Sequence, residues 1–237
     1  MISVCMATYN GEKYLERQIE SIVSQLHEGD ELVVSDDGST DATVHILESF
    51  QRRCPSIKIV EGPHLGVVAN FENAISNAGG DYIFLSDQDD VWNPQKVERV
   101  MAAFGAVEPD LIVHNAEIVD SDLTSLGFTT FEWRKSGPGL IKNLKRNSFI
   151  GCCMAFRREI LPLCLPFPRH IAMHDWWIGL ASCLNSDPMF IDDCLIQYRR
   201  HGDNASKMTH KGAIEMLSDR FLMACSLLRR LQEVRRR

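Results

Sequence analysis

Residues 82–92 read Tyr82-Ile83-Phe84-Leu85-Ser86-Asp87-Gln88-Asp89-Asp90-Val91-Trp92. This stretch is a short apolar run followed at once by three aspartates. Apolar runs of this length that stop at polar residues are typical of strands buried on both faces of a parallel sheet. Similar runs occur earlier at Ile2–Ala7, Glu31–Ser35 and Ile57–Val60. We therefore predict that Tyr82–Ser86 is the fourth strand of such a sheet.

Helical patterns separate the predicted strands. Leu15, Ile19 and Ile22 recur at the spacing of one helix face, and Pro94 suits the first turn of a later helix. A fifth strand is predicted at Leu111–His114. Strands that alternate with helices indicate parallel strands joined by right-handed crossovers. The predicted fold class is α/β, with a mostly parallel, Rossmann-like sheet and helices on both faces.

The second half of the chain is less regular. Residues 121–139 contain three glycines and a proline, which predicts a long loop. Strands are predicted over Ser148–Phe156 and Met189–Tyr198, a helix over Asp175–Leu184, and a long amphipathic helix over Gly212–Arg237. No repeat or clear linker divides the chain.

Composition indicates a globular protein and excludes several classes. Of 237 residues, 45% are hydrophobic and 24% are charged, which matches an average soluble domain. The net charge is −7, and the segment 207–237 carries +5, so the rest of the chain is strongly acidic. An acidic body argues against nucleic acid as a partner, because a nucleic-acid-binding domain needs a basic face.

No apolar run is long enough to span a bilayer, and no basic leader suggests a signal peptide. The eight cysteines form no Cys-x-x-Cys pair, which favours a reducing cytoplasm.

Acidic residues follow two of the predicted strands. The second strand runs into Ser35–Asp41 and the fourth into Asp87–Asp90. Ligands of open parallel sheets bind at the carboxyl ends of the strands. Clustered carboxylates repel one another unless a hard cation lies among them, which predicts Mn²⁺ or Mg²⁺ at Asp87–Asp90. For Asp36–Asp41, a turn-forming and helix-capping role remains an equal alternative.

The sequence has neither a P-loop nor a Gly-x-Gly-x-x-Gly turn between a strand and a helix. Phosphate charge could instead be neutralised by a metal ion held on the aspartates. A nucleoside diphosphate bound to such an ion becomes a good leaving group. That chemistry suits the transfer of a sugar from a nucleotide sugar.

Four motifs in this order resemble the inverting nucleotide-sugar glycosyltransferases of family two. They are Ala7-Thr8-Tyr9-Asn10, Ser35-Asp36-Asp37-Gly38-Ser39-Thr40-Asp41, Asp87-Gln88-Asp89-Asp90 and His174-Asp175-Trp176-Trp177. The sequences at 86–92, 174–177 and 198–204 are similar to its rhamnosyltransferase-like branch. The resemblance covers residues 1–206 and implies a GT-A type fold. It implies a nucleotide-sugar-binding half at 1–115, an acceptor and catalytic half at 116–206, and a basic helical tail at 207–237.

The resemblance also implies roles for the residues that bind the donor. Thr8 and Tyr9 would line the nucleoside pocket, and Asp37 would accept a hydrogen bond from the base. Asp87 would face the ribose or the sugar. The expected donor is dTDP-rhamnose, with UDP-hexoses next.

Asp89 is the expected metal ligand, and His201 matches a later histidine that often completes the metal site in relatives. A surface position for His201 is an equal alternative. The chain departs from many relatives at His64 and Ala69, where they have an asparagine and an arginine. The donor contacts that this segment makes in relatives are therefore not carried over to this chain.

Asp175 is the candidate general base that deprotonates the acceptor hydroxyl in an inverting transfer. Trp176 and Trp177 would desolvate it, raise its pKa and offer an aromatic face to the acceptor sugar. The alternative is that Asp175 only caps a helix beginning at Trp176, with both tryptophans in the core.

The tail at 207–237 combines an apolar stripe with arginines. Such a helix can lie on an anionic membrane, or its stripe can pack on the domain or on another subunit. We expect a cytoplasmic enzyme whose acceptor is a glycan or a lipid-linked glycan of cell-surface polysaccharide synthesis. A peripheral position on the inner face of the membrane is the open alternative to a freely diffusing enzyme. Two other functions stay open: a metal-dependent nucleotidyltransferase and a non-catalytic nucleotide- or sugar-binding module.

Overall fold

The computed structural model describes residues 1–202 and 212–235. In the first half, the strands and helices fall close to their predicted positions. They are β1 (Ile2–Thr8), α1 (Leu15–Val23), β2 (Glu31–Asp36), α2 (Thr43–Arg53), β3 (Ile57–Glu61), α3 (Val67–Ser76), β4 (Tyr82–Ser86), β5 (Val91–Trp92) and α4 (Lys96–Val107). Pro94 lies in the turn before α4, and the short strand β5 was not expected.

The second half adds strands and several short helices. They are β6 (Leu111–Val119), β7 (Ser125–Thr129), α5 (Thr130–Arg134), α6 (Leu140–Lys145), β8 (Met154–Arg157), α7 (Leu161–Cys164), α8 (His174–Ser182), β9 (Met189–Arg199) and α9 (Ala213–Arg235). Two expectations were wrong here. Residues 121–139 are not one loop, because they contain β7 and α5, and the strand expected at Ser148–Phe156 begins only at Met154, after a 3₁₀ turn.

Within the described residues, the strands form one sheet in the order β3-β2-β1-β4-β8-β6-β9-β5, with β7 paired to β6. The first four strands are parallel. β8 is antiparallel to β4 and β6, whereas β6 and β9 are parallel to each other. The sheet is therefore mostly parallel, as the alternating pattern predicted.

The register brings the carboxyl ends of the central strands together. Thr8 pairs with Asp36, and Met6 pairs with Ser86. The polar segments that follow β1, β2 and β4 consequently open on the same edge of the sheet. The strands themselves are almost entirely buried, so the apolar core holds this edge in place.

Helix α9 packs one face against α6, α7 and α8. Met223 and Leu227 are buried in that contact, and Arg230 Nη1 donates a hydrogen bond to the Leu165 carbonyl oxygen at 2.6 Å. Within the described parts of the chain, no helix is both long enough and apolar enough to cross a bilayer. Residues 203–211 and 236–237, which include part of the predicted 198–204 motif and of the tail, lie outside the described residues.

Candidate active site

A cleft of about 960 Å³ opens at the carboxyl ends of β1, β2 and β4. It is lined by seven of the nine residues singled out from the sequence. These are Thr8, Tyr9, Asp37, Asp87, Asp89, Asp175 and His201. The cleft therefore joins the two halves of the chain, since the last two residues follow β6 in sequence and the others precede it.

A buried amide ties together the strand ends beneath the cleft. Asn70 Nδ2 donates to the carbonyl oxygens of Thr8 (3.1 Å) and Ser35 (2.9 Å). Asp36 accepts from the Thr8 hydroxyl at 2.8 Å and from the Ser39 backbone N–H at 2.8 Å. Asp41 accepts the Thr43 N–H at 2.9 Å. Asp36 and Asp41 therefore hold the turn between β2 and α2 through backbone N–H groups, which favours the turn-forming role for these two aspartates.

Asp37 faces the cleft with one oxygen held and the other available. Its Oδ2 accepts the Gly66 N–H at 2.7 Å. Its Oδ1 is buried and has no hydrogen-bond partner among the described residues. A buried acceptor without a partner carries an energetic penalty that a ligand N–H would remove. His64, whose donor contacts were uncertain from the sequence, also lines this part of the cleft.

Gln88 clamps the segment after β4 to the segment after β1. Its Nε2 donates to the Tyr9 carbonyl oxygen at 3.0 Å, and its Oε1 accepts the Tyr9 N–H at 2.9 Å. A Cβ added to Gly11 would lie only 2.4 Å from Gln88 Oε1, so a larger residue there would displace the Gln88 amide from Tyr9. No local sequence pattern indicates this positioning role for Gln88.

Three aspartates follow β4, and two of them have raised pKa values. Burial, followed by the negative charges of Asp89 and Asp175, raises the pKa of Asp87 to about 7. Burial likewise raises the pKa of Asp90, whose Oδ1 accepts the Arg199 N–H at 2.9 Å. Carboxylates crowded in this way are stabilised in their charged form by a nearby cation.

Asp89 and His201 offer the donor set of a divalent cation. Asp89 Oδ2 and His201 Nε2 are 2.7 Å apart at the wall of the cleft, and both side chains are mostly buried. A carboxylate oxygen with an imidazole nitrogen suits Mn²⁺, and carboxylate oxygens suit Mg²⁺. The Asp89 carbonyl oxygen accepts from Arg199 Nε at 2.7 Å, which holds the segment in place. The residues present therefore fit the predicted ion.

A second group of possible ligands lies deeper. Single ligand atoms of Asp87, Asp90 and Cys152 all lie within 4.8 Å of one another. Burial raises the pKa of the Cys152 thiol well above its usual range, so a thiolate ligand is disfavoured. The ammonium of Lys96, fully buried, donates to the Cys152 carbonyl oxygen at 2.8 Å and already supplies positive charge there. The chemistry of the donor atoms therefore favours Asp89 and His201 over this group as ligands of a divalent cation.

Asp175 lies in the first turn of α8 and faces the cleft. Its Oδ2 accepts the Gly151 N–H at 3.2 Å. Burial raises the pKa of Asp175 to about 6, and the Trp176 N–H and the Arg134 guanidinium oppose the rise. A carboxylate with this pKa is suited to accept a proton near neutral pH. The helix begins at His174, so Asp175 is not its N-cap residue.

His174 and Gly151 form the floor beneath Asp175. The His174 ring stacks on Phe71 with centroids 3.9 Å apart, and burial lowers its pKa to about 3, so the ring is neutral. A Cβ on Gly151 would lie 2.9 Å from His174 Nε2. The close approach of this backbone is what allows the Gly151 N–H to reach Asp175.

A family model described as Glycosyl transferase family 2 matches residues 3–163. The chain belongs to glycosyl transferase family 2. The resemblance predicted from the four motifs is confirmed.

Relatives and solved structures agree with this family. The dTDP-rhamnosyl transferase RfbG of Shigella flexneri is 29% identical over 215 residues, covering 84% of this chain and 72% of the relative. The structure of Staphylococcus aureus TarS 1–349 in complex with UDP-GlcNAc has a TM-score of 0.76 and 20% identity, over 96% of this chain and 66% of that one. The mannosyltransferase PcManGT of Pyrobaculum calidifontis, in complex with GDP-Man and Mn²⁺, has a TM-score of 0.65 and 17% identity, over 83% and 56%. The predicted GT-A type fold is confirmed.

The chain is shorter than many proteins it resembles. It spans 66% and 59% of the length of the first curated relatives that it matches.

The structure contradicts the role predicted for the two tryptophans of this family 2 member. Neither Trp176 nor Trp177 lines the cleft. Trp177 is fully buried and its Nε1 donates to the Cys164 carbonyl oxygen at 2.8 Å, while Trp176 Nε1 donates to the Asn143 carbonyl oxygen at 2.8 Å. Their rings belong to the core, so they offer no surface to an acceptor sugar and serve to place Asp175.

Sequence reasoning missed Arg134, which lines the cleft from the end of α5. It lies in the segment predicted to be a loop. A Thr-x-x-Glu pattern at Thr129–Glu132 was present and is the signature of a capped helix. That signal could have located α5 and with it the arginine.

Proposed function

We propose that this protein transfers a sugar from a nucleoside-diphosphate sugar to an acceptor hydroxyl, with inversion at the anomeric carbon. The observation that carries the proposal is that Asp175 opens on the same cleft as Asp37, Asp87 and Asp89. An inverting transfer needs one base on the acceptor side and charge stabilisation on the leaving-group side, with no covalent enzyme intermediate. A purely binding module gives no reason for a carboxylate of raised pKa at that position.

On the donor side, residues of the first half bind and orient the nucleotide sugar. Asp37 Oδ1 is the acceptor for an N–H of the base, and Thr8 and Tyr9 line the nucleoside pocket. Asp87 faces the ribose or the sugar. Asp89 and His201 would hold Mn²⁺ or Mg²⁺, which supplies Lewis-acid stabilisation of the departing diphosphate when bound.

On the acceptor side, Asp175 takes the proton of the attacking hydroxyl. Its burial and the neutral His174 ring beside it keep the carboxylate poorly solvated. The Gly151 N–H holds Oδ2 and thereby orients the carboxyl group. A positioned base of this kind contributes about 10²–10⁴-fold to the rate.

The donor we favour is dTDP-rhamnose, followed by UDP-hexoses. The similarity to a dTDP-rhamnosyl transferase supports the first choice. The acceptor we favour is a glycan or a lipid-linked glycan in cell-surface polysaccharide synthesis, reached from the cytoplasmic side of the membrane. The nucleotidyltransferase alternative would need a glycine-rich loop with Lys or Arg after β1, and Ala7-Thr8-Tyr9-Asn10 has none.

A thermal-shift screen of nucleoside diphosphates and their sugars, with and without Mn²⁺, tests the donor side. We expect one pyrimidine nucleoside diphosphate and its sugar to raise the melting temperature, and Mn²⁺ to increase the shift. Asp37→Asn should reduce the shift, whereas Glu48→Gln on the exposed face of α2 should not. If no nucleotide stabilises the protein under any condition, the proposal is wrong.

A further inference from the structure

Three arginines from the second half of the chain gather around Trp133, and one of them, Arg134, lines the cleft. Arg134 lines the cleft at the end of α5, and its Cζ lies 4.0 Å from the centroid of the Trp133 ring. Arg200 Cζ lies 5.6 Å from the same ring. Arg146 Nη2 donates to the Trp133 carbonyl oxygen at 3.1 Å. Trp133 therefore serves as the platform on which the cluster is built.

Arg134 has hydrogen-bonding capacity that its described surroundings leave unused. Its Nε is buried and has no hydrogen-bond partner in the described part of the chain. Burial lowers the pKa of Arg134 from its usual value, the negative charge of Asp175 opposes the fall, and the positive charges of Arg200 and Arg146 add to it. A bound anion would offset the repulsion between Arg134 and these two arginines. This positively charged cluster lies in a part of the chain that is otherwise strongly acidic.

The position of Arg134 indicates which substrate carries the anion. Its charge acts on Asp175, the proposed base, and lowers the pKa of that carboxyl. In an inverting transfer, the base and the acceptor lie on the side of the anomeric carbon opposite to the diphosphate. A guanidinium beside the base is consequently on the acceptor side, whereas the donor diphosphate lies towards Asp89.

We infer that Arg134, supported by Trp133, Arg146 and Arg200, forms a subsite for a carboxylate or phosphate group of the acceptor. The inference rests on the proposed transferase function. The fork of an arginine side chain binds planar or tetrahedral anions with two parallel hydrogen bonds. The acceptor chemistry that fits is an acidic glycan, such as one containing uronic acid or polyol phosphate, in preference to a neutral one.

The test uses probes that differ only in charge: methyl glucuronide against methyl glucoside, and glycerol 3-phosphate against glycerol. Their binding is titrated by ligand-observed NMR, without metal and in the presence of the nucleoside diphosphate that stabilises the protein most. We expect the charged member of each pair to bind at least about tenfold more tightly. Arg134→Gln should remove that preference, Arg134→Lys should keep part of it, and Arg52→Gln on the exposed side of α2 should change nothing.

Two results would overturn the inference. One is that charged probes bind no better than neutral ones, or do not bind. The other is that Arg134→Gln weakens binding of the nucleoside diphosphate as much as binding of the charged probe, because the arginine would then bind the donor and not the acceptor. Failure of the proposed function is a separate observation, namely a wild-type protein that binds no nucleotide. The probe titrations are then run without nucleotide and still report the charge preference.

Discussion

The ionisation of Asp175 determines when the proposed reaction can run. Its raised pKa of about 6 means that the carboxyl is protonated, and unable to accept a proton, in mildly acidic solution. At saturating Mn²⁺ we expect log(kcat/KM) to rise by about one per pH unit up to about pH 6 and then to level off. Initial rates between acidic and neutral pH measure this limb. A flat profile would show that no group with this pKa is needed.

Replacing the same carboxyl separates catalysis from binding. Asp175→Asn keeps the shape of the side chain but removes the proton acceptor, so we expect kcat/KM to fall by about 10²–10⁴-fold. Nucleotide affinity should stay close to wild type, because the nucleoside pocket is built by the other half. The fold should be kept with a lower melting temperature, because an asparagine can accept only one of the two backbone N–H groups that Asp175 accepts. The residual kcat/KM of the variant should no longer rise with pH in acidic solution. Turnover near the wild-type rate would remove Asp175 from its role.

Gly151 is required because its backbone lies close to the His174 ring, and not because its backbone angles exclude other residues. A Cβ would lie 2.9 Å from His174 Nε2 and 3.6 Å from Asp175 Cβ, so Gly151→Ala should displace the base. We expect a large loss of transfer with nucleotide binding retained. Gly105→Ala is the matched control, because nothing lies within 4 Å of its added Cβ inside α4. That variant should raise the unfolding free energy by about 0.4–1 kcal/mol and leave activity unchanged. Equal effects from both variants would contradict the packing argument.

At the scale of elements, burial on both faces made β1, β2 and β4 predictable. The apolar runs of β1, β2 and β4 have few alternative structures, and each ends within a residue or so of its predicted position. Short elements stabilised by single contacts were harder to predict. The strand β7 is exposed, α5 has five residues, and the Met154 strand follows a 3₁₀ turn with apolar residues of its own.

The residues of the candidate site also divide into those that the sequence predicts and those that depend on tertiary contacts. The residues at the ends of β1, β2 and β4 were predictable, because strand ends of a parallel sheet share an edge. Asp175 also lines the cleft, but the orientation of its two neighbouring tryptophans depends on how α8 packs between other elements. Gln88 and Lys96 acquire their places only from tertiary contacts, which local sequence does not encode. For Arg134, the capping box indicates the helix that carries it, but not that this helix lies at the cleft.

The short helix α5 depends on its N-terminal cap. The Thr129 hydroxyl accepts the Glu132 N–H at 3.3 Å, and Glu132 Oε2 accepts the Thr129 N–H at 2.7 Å. Thr129→Ala should lower the unfolding free energy by about 0.5–2 kcal/mol and weaken binding of the charged probes, since α5 carries Arg134. Urea titration and the probe assay measure the two effects. Thr129→Ser, which keeps the hydroxyl, should restore both, and a Ser variant as defective as Ala would exclude the cap as the cause.

At the scale of the molecule, α9 has two faces with different roles. The inner face is occupied: Met223 and Leu227 are buried, and so is Arg230, which the sequence had grouped with the arginines around the apolar stripe. The outer face exposes four large apolar side chains, which follow one another at helical spacing. They are Ile214, Leu217, Phe221 and Leu228. Packing on the domain thus accounts for only part of the apolar surface of this helix.

We expect the outer face of α9 to hold the protein on an anionic membrane near a lipid-linked acceptor. Leu217 and Phe221 are 66% and 68% exposed, and embedding each such side chain contributes about 1.5 kcal/mol, or roughly tenfold in partitioning. The wild type should float with phosphatidylglycerol vesicles, and Leu217→Ser combined with Phe221→Ser should not. Ile141→Ser, at a 69% exposed site on α6, is the control and should float normally.

If the double variant floats like the wild type, or the wild type does not float, the outer face is not a membrane surface. Light scattering would then show whether a second copy of the chain covers it, since the same double variant would dissociate a dimer.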